Sequence, residues 1–251
     1  MASAQPQEES LIVPNAPPSS VCIFQDGTRG CTAFEVEPFV FITAAHCLSD
    51  IDWPKRSTKV TSIEKLKLYC PTALNDKNPT KSLNRFSFAE LHIRDFRIHE
   101  SYFQLVKSGK MPLTADLAIV LTVDHGADSK ISRMAKSETE ILQLVKQNKC
   151  RTAGYSRGFY AEIPAFATKN PIDGESHLLS IDGGNSFGDS GGPIFCKDAN
   201  GEDVTTGMTV SVIGDLSAAT IHEWLSRAFK PRQENLNIEI PNRAADQRSA
   251  K

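Results

Sequence analysis

Six cysteines, at positions 22, 31, 47, 70, 150 and 196, constrain this chain more than any other feature. Their count is even, they are spread over most of the sequence, and none forms a Cys-x-x-Cys pair. That spacing argues against a zinc ribbon or a thiol redox motif. In a β-rich chain it favours disulfides and an oxidising compartment. Short β-rich runs do fill the first half: Val21–Phe24, Phe39–Ala44, Lys65–Tyr69, Phe86–Ile93 and Leu117–Thr122. Polar or Pro/Gly segments separate them, the pattern of an all-β sandwich or barrel. Between 124 and 149 the texture changes. Ser137 with Glu140 makes a capping box, and Ile141, Leu144 and Val145 share a face, so a helix is predicted near 138–148, joining two β halves. Strand-like runs resume at Thr152–Tyr155, His177–Ile181, Pro193–Cys196 and Met208–Ile213. A last helix is predicted with Thr220 as its cap, Glu223 closing the box, and an apolar stripe of Ile221, Trp224, Leu225 and Phe229.

The 251 residues suit one large domain or two small fused ones, long enough to bury a substantial core without a metal. A net charge of −2 gives no reason to expect nucleic acid or an anionic membrane as partner. No apolar run approaches the ~20 residues of a membrane helix. Residues 1–20, with four prolines, read as a loose arm, and the chain beyond Pro231 as a polar tail. The cysteines point to secretion, yet Met1–Pro18 lacks the apolar core of a signal peptide. Either a leader has been removed from this sequence or the chain takes another route. No metal-ligand spacing appears among the six scattered histidines, and no cofactor is expected. Asn75-Asp76-Lys77-Asn78 reads as a solvated turn rather than a calcium loop, and no Asn-x-Ser/Thr sequon is present.

Three segments carry chemistry. Ser190 lies in Gly188-Asp189-Ser190-Gly191-Gly192-Pro193. A serine hydroxyl needs a base to become a nucleophile. Flanking glycines let the backbone turn sharply, and the N–H groups of Gly188 and Ser190 can point at an oxyanion. As a bare string the hexamer reads equally well as a turn. His46 ends the apolar run Phe39–Ile42 within Thr43-Ala44-Ala45-His46-Cys47; a lone histidine there is more often a hydrogen-bonded core residue. Asp116 opens Asp116-Leu117-Ala118-Ile119-Val120, where a carboxylate at the mouth of a buried strand needs a partner such as a histidine N–H. Its bland reading is the end of a loop.

Together these segments resemble the chymotrypsin/trypsin family. Thr-Ala-Ala-His-Cys and Gly-Asp-Ser-Gly-Gly-Pro are that family's histidine and serine signatures, in its His…Asp…Ser order. Cys31 lies 15 residues before His46 and Cys47 follows it directly, as in the family's disulfide around the histidine. Cys150 precedes Gly154-Tyr155, and Cys196 lies six residues after Ser190, where the family's next cysteine pair belongs. His99-Glu-Ser-Tyr102 resembles the segment ahead of the aspartate. The likeness runs from about Val21 to Phe229.

The resemblance implies two six-stranded antiparallel β-barrels and a C-terminal helix. It gives a protease domain over 21–230, split near 125–150, with His46 and Asp116 from the first barrel and Ser190 from the second. It implies protein or peptide substrates, protein protease inhibitors as partners, and the disulfides Cys31–Cys47 and Cys150–Cys196. The remaining cysteines fall in strands that adjoin when such a barrel closes, which predicts a third disulfide, Cys22–Cys70.

Three departures limit the likeness. The cysteine expected four residues before the nucleophile is replaced by Ser186. Trypsin's specificity acid is replaced by Gly184, followed by Asn185, and Ser211-Val212-Ile213 stands for the Ser-Trp-Gly binding segment. These five positions, Gly184, Asn185, Ser211, Val212 and Ile213, predict a pocket for small or medium apolar side chains, unless Asp182 enters it. No Arg/Lys-Ile-Val-Gly-Gly activation site is present. The rival readings are a catalytically silent homologue acting as a binding or regulatory module, and an acyl hydrolase. Pro193 and the strand-like Ile194-Phe195-Cys196 argue against the strand–turn–helix elbow of the α/β-hydrolases.

Overall fold

The computed structural model describes residues 18, 20–27, 29–74, 86–124, 130–147, 149–156, 159–167, 178–179, 181–182, 188–211 and 214–233. Most of the expected arm and the tail beyond 233 lie outside these residues, as do the Asn75–Asn78 segment and Gly184, Asn185, Ser186, Val212 and Ile213.

The first half contributes β1 (Val21–Gln25), β2 (Gly30–Glu37), β3 (Val40–Thr43), β6 (Lys67–Leu74), β7 (Phe86–Leu91), β8 (Ile93–Ile98) and β9 (Ala118–Thr122). They form one sheet in the order β7-β6-β1-β2-β3-β9-β8, every pair antiparallel. Only His92 stands between β7 and β8, so the two edges of this sheet are halves of one bent strand. Its first half pairs with β6 and its second with β9, and the sheet closes on itself as six strands. Closure leaves no exposed edge.

The second half repeats the device. Its strands are β11 (Cys150–Ser156), β12 (Phe159–Ala167), β13 (Leu178–Leu179), β14 (Ile181–Asp182), β15 (Pro193–Lys197), β16 (Asp203–Ser211) and β17 (Gly214–Ser217), in the order β13-β17-β16-β15-β11-β12-β14. Leu178–Leu179 pairs with β17 and Ile181–Asp182 with β12, so the edges are again joined through a short connection, at Ser180. The two expected barrels are thus present. A further short strand, β10 (Arg133–Met134), lies parallel to β16, outside the six-strand scheme.

A small hairpin of β4 (Ser49–Asp52) and β5 (Ser57–Val60) follows the first barrel's third strand, and helix α1 (Glu100–Lys107) stands between β8 and β9. Neither was foreseen. Helix α2 (Glu138–Val145) begins as expected: Ser137 Oγ accepts from the Glu140 N–H at 3.2 Å. Helix α3 (Ala218–Gln233) differs at both ends. Its first turn is capped by Ser217, whose Oγ accepts from the Thr220 N–H at 3.3 Å, so Thr220 lies inside the helix rather than capping it. The helix also runs through Pro231, where the polar tail was expected to begin. A proline this close to a C-terminus removes only a bond of the final turn.

One buried apolar cluster crosses between the barrels. Val21, Phe24, Phe34, Phe41 and Leu117 of the first half share it with Tyr155, Phe195, Met208 and Trp224 of the second. β2 is buried on both faces from Cys31 to Glu35, because one face lines its own barrel and the other meets β11. Three disulfides pin the strands. Cys22–Cys70 joins β1 to β6, Cys31–Cys47 joins β2 to the turn after β3, and Cys150–Cys196 joins directly opposed residues of β11 and β15. All three predicted pairings are found. On the second barrel Arg151 adds a polar staple: its Nε donates to Glu162 at 2.8 Å and its two terminal nitrogens to Asp203 at 2.7 and 2.8 Å.

Candidate active site

His46 sits in a single 3₁₀ turn, Ala45–Cys47, at the end of β3. The strand before it, Val-Phe-Ile-Thr, is wholly buried, so the chain leaves the core at a fixed point. The turn is closed by Cys47 N–H to Ala44 O and Leu48 N–H to Ala45 O. Asp116 closes another 3₁₀ turn, Leu113–Ala115, just before β9, the strand that pairs with β3. Register Thr43↔Ala118 therefore brings two residues 70 apart in sequence to one end of one strand pair.

Asp116 is 5 % exposed, and its carboxylate holds His46 twice. Oδ2 lies 2.7 Å from His46 Nδ1, and Oδ1 accepts the His46 backbone N–H at 2.9 Å. A carboxylate can only accept, so Nδ1 carries the proton and Nε2 keeps its lone pair. The imidazole remains 34 % exposed, enough for its far edge to meet a ligand. Burial by itself lowers the His46 pKa. The charge and hydrogen bond of Asp116 outweigh that and the smaller opposing field of Arg29, leaving the pKa above its ordinary 6.5. Behind the pair, burial and then the Asp116 charge push the Tyr102 phenol upward, and Tyr102 Oη lies 3.2 Å from Ser49 Oγ.

Ser190 comes from the second barrel, on the turn before β15. Gly192 N–H donates to Asp189 O at 2.8 Å, which closes a four-residue turn around Ser190 and Gly191. Gly191 has φ +84°, as the third residue of a type II turn requires. It is a glycine for a second reason: a Cβ there would lie 2.2 Å from Thr32 O and 2.4 Å from Thr43 Oγ1. The turn is thus pressed against β2 and β3. Gly191 N–H donates to Thr209 O, and Thr32 N–H donates to Ser190 O at 2.8 Å. Cys47 Sγ, one residue from His46, lies 3.8 Å from the same Ser190 carbonyl.

The structure accordingly brings the segments of His46, Asp116 and Ser190 to one seam between the barrels. Gly188, with φ +106°, directly precedes this turn, and Ser211 ends β16, the strand whose Thr209 O accepts from Gly191 N–H. Cys31, His46 and Cys47 cluster within 4.8 Å, but both sulfurs are committed to the disulfide, so the group does not read as a metal centre. The residue that sequence reasoning missed is Thr32. It is a fully buried hydroxyl flanked by Cys31, Ala33 and Phe34, and a buried hydroxyl needs partners. That polar interruption was the available signal.

Comparison with known proteins agrees with the topology. The model of the family described as Trypsin matches residues 12–221. A solved structure of a Glu endopeptidase in complex with MPD superposes with a TM-score of 0.56 at 16 % identity, covering 87 % of this chain and 95 % of that one. At that identity it is the fold that is shared. Among curated proteins no sequence match is found.

Proposed function

This chain belongs to the trypsin family, and we propose that it is a serine endopeptidase cutting peptide bonds through an acyl-enzyme on Ser190. The observation that carries the reading is the double grip of Asp116 on His46, with Nδ1 protonated and Nε2 left basic, beside the Ser190 turn.

In this mechanism Ser190 Oγ attacks the peptide carbonyl while His46 Nε2 takes its proton. Asp116 stabilises the imidazolium that forms, and the N–H groups of Gly188 and Ser190 face the oxyanion. His46 then returns the proton to the leaving amine, and water repeats the sequence to free Ser190. For specificity, Gly184 and Asn185 where trypsin carries its acid, with Ile213 in place of a glycine, favour small or medium apolar side chains before the cut bond. Three disulfides fit an extracellular site of action, with protein substrates and protein inhibitors as partners.

The test is covalent labelling by a fluorophosphonate probe, wild type against Ser190→Ala. Labelling of the folded wild type alone, with peptide turnover falling roughly 10⁶-fold in the variant, is the expected result. A folded, disulfide-intact wild type that stays unlabelled would overturn the reading in favour of a silent binding homologue.

A further inference from the structure

Thr32 is fully buried, and its hydroxyl and N–H are engaged across the seam. Its hydroxyl donates to Gly188 O at 2.7 Å and accepts the Tyr155 N–H at 2.9 Å. Its N–H donates to Ser190 O at 2.8 Å, and its carbonyl accepts from Thr43 Oγ1 at 2.8 Å. One residue thereby binds both ends of the turn from Gly188 to Ser190. It also binds β11 beneath that turn and β3, the strand leading to His46.

The geometry has a covalent counterpart. Cys31, the neighbour of Thr32, is bonded to Cys47, the neighbour of His46. The position of Thr32 relative to the imidazole is therefore held by a short bonded path. The hydroxyl and amide of Thr32 carry that position across to the other barrel. The Gly188 carbonyl belongs to the peptide plane joining Gly188 to Asp189. Gly188 has φ +106°, a region open to glycine because it lacks a Cβ, and with so unrestricted a residue the hydrogen bond to its carbonyl helps to hold this plane.

We infer that Thr32 is the positioning residue that aligns the nucleophile turn with the base, clamping Gly188 and Ser190 to the strand whose disulfide adjoins His46. The inference rests on the serine-endopeptidase reading. It goes beyond that reading by assigning the alignment of the two barrels to one hydroxyl outside the triad. Thr32 touches no substrate; it acts through the turn.

The experiment compares Thr32→Val, which keeps the shape and loses the hydroxyl, with Thr32→Ser, which loses the methyl and keeps it. Fluorophosphonate labelling rates are read together with kcat and KM on a peptide substrate, and with hydrogen exchange of the amides of Gly191 and Gly192. Misplacement by about an ångström costs roughly 10²-fold. Thr32→Val should thus lose kcat and labelling rate on that scale, with KM little changed and the pH midpoint of labelling retained, because the His46–Asp116 pair is intact. Exchange at Gly191 and Gly192 should quicken. Thr32→Ser should restore both readouts. Should the valine variant not fold, Thr32→Ala is compared with Thr32→Ser in the same way. Equal labelling by wild type and the hydroxyl-free variant, or equal loss in the serine variant, overturns the inference and leaves the endopeptidase reading standing. An unlabelled wild type defeats that reading instead, and exchange alone then decides whether the hydroxyl holds the turn.

Discussion

The two barrels close by the same device and differ in how their walls are braced by disulfides and in which site residues they carry. In the first, the bent strand β7–β8 offers six register pairs to β6 and five to β9, and two disulfides brace the wall. Among the described residues of the second, β13 and β14 give two pairs each to β17 and β12, and one disulfide braces the opposite side. The barrel with two disulfides carries His46 and Asp116. The other carries Ser190, on a turn whose bonds reach into the first barrel. The difference teaches that Ser190 takes its placement as much from its neighbour as from its own sheet.

The largest effect that bears on this comparison comes from the first barrel. Asp116→Asn should lower turnover by roughly 10⁴-fold, the scale of the equivalent change in another serine protease of this kind. It should also shift the pH profile. On the proposed mechanism, wild-type activity needs neutral His46 and should rise as pH climbs through a pKa above 6.5. Without the Asp116 charge, burial dominates and the acid limb of the labelling profile moves to lower pH. Stability runs the other way. The folded pKa is raised, so the pair's contribution is fully present below about 6.5 and fades as pH rises through the folded value. Thermal unfolding on either side of that window should show this fade in the wild type and not in the variant.

The second effect tests the asymmetry itself. Replacing Cys22 and Cys70 by alanine, or Cys150 and Cys196, removes a loop closure of 48 or 46 residues, each worth about 2–4 kcal/mol. Denaturant midpoints should fall by similar amounts. Labelling of Ser190 should nevertheless suffer more from the Cys150/Cys196 change, because β15 follows the nucleophile turn directly. Equal losses of labelling would break the comparison. The smallest effect concerns Thr209, whose buried hydroxyl has no partner among the described residues although its backbone bonds both Gly191 and Gly192. Thr209→Val should raise stability by about 1 kcal/mol, read from the denaturant midpoint, with labelling unchanged.

Much of this architecture was legible in the chain. Val21–Phe24 and Leu117–Thr122 announce β1 and β9 through continuous apolar runs, and Ser137 with Glu140 announces α2 by its cap. α1 escaped because its cap is a histidine: His99 Nδ1 accepts from the Ser101 N–H, a role that propensity assigns to Ser, Thr, Asp or Asn. β4 and β5 escaped because Ser57–Val60 is largely exposed and carries no core-facing pattern. β2 escaped because burial on both faces erases the alternation that marks a half-buried strand. The His46 and Ser190 segments stood out as motifs, since their chemistry needs residues in a fixed local order. Thr32 did not, because its role exists only once a strand from one barrel faces a turn from the other.

The crowding at Gly191 has a consequence for how this molecule comes into being. Residues 21–122, which carry His46 and Asp116, leave the ribosome before the stretch that carries Ser190. The turn that faces them has no seat until a later stretch of chain has folded and pressed against Thr32 and Thr43. A half-made chain therefore carries a base with nothing to activate. On the reading proposed above, competence to cut appears only when synthesis has passed the second barrel, which protects the nascent polypeptide from itself.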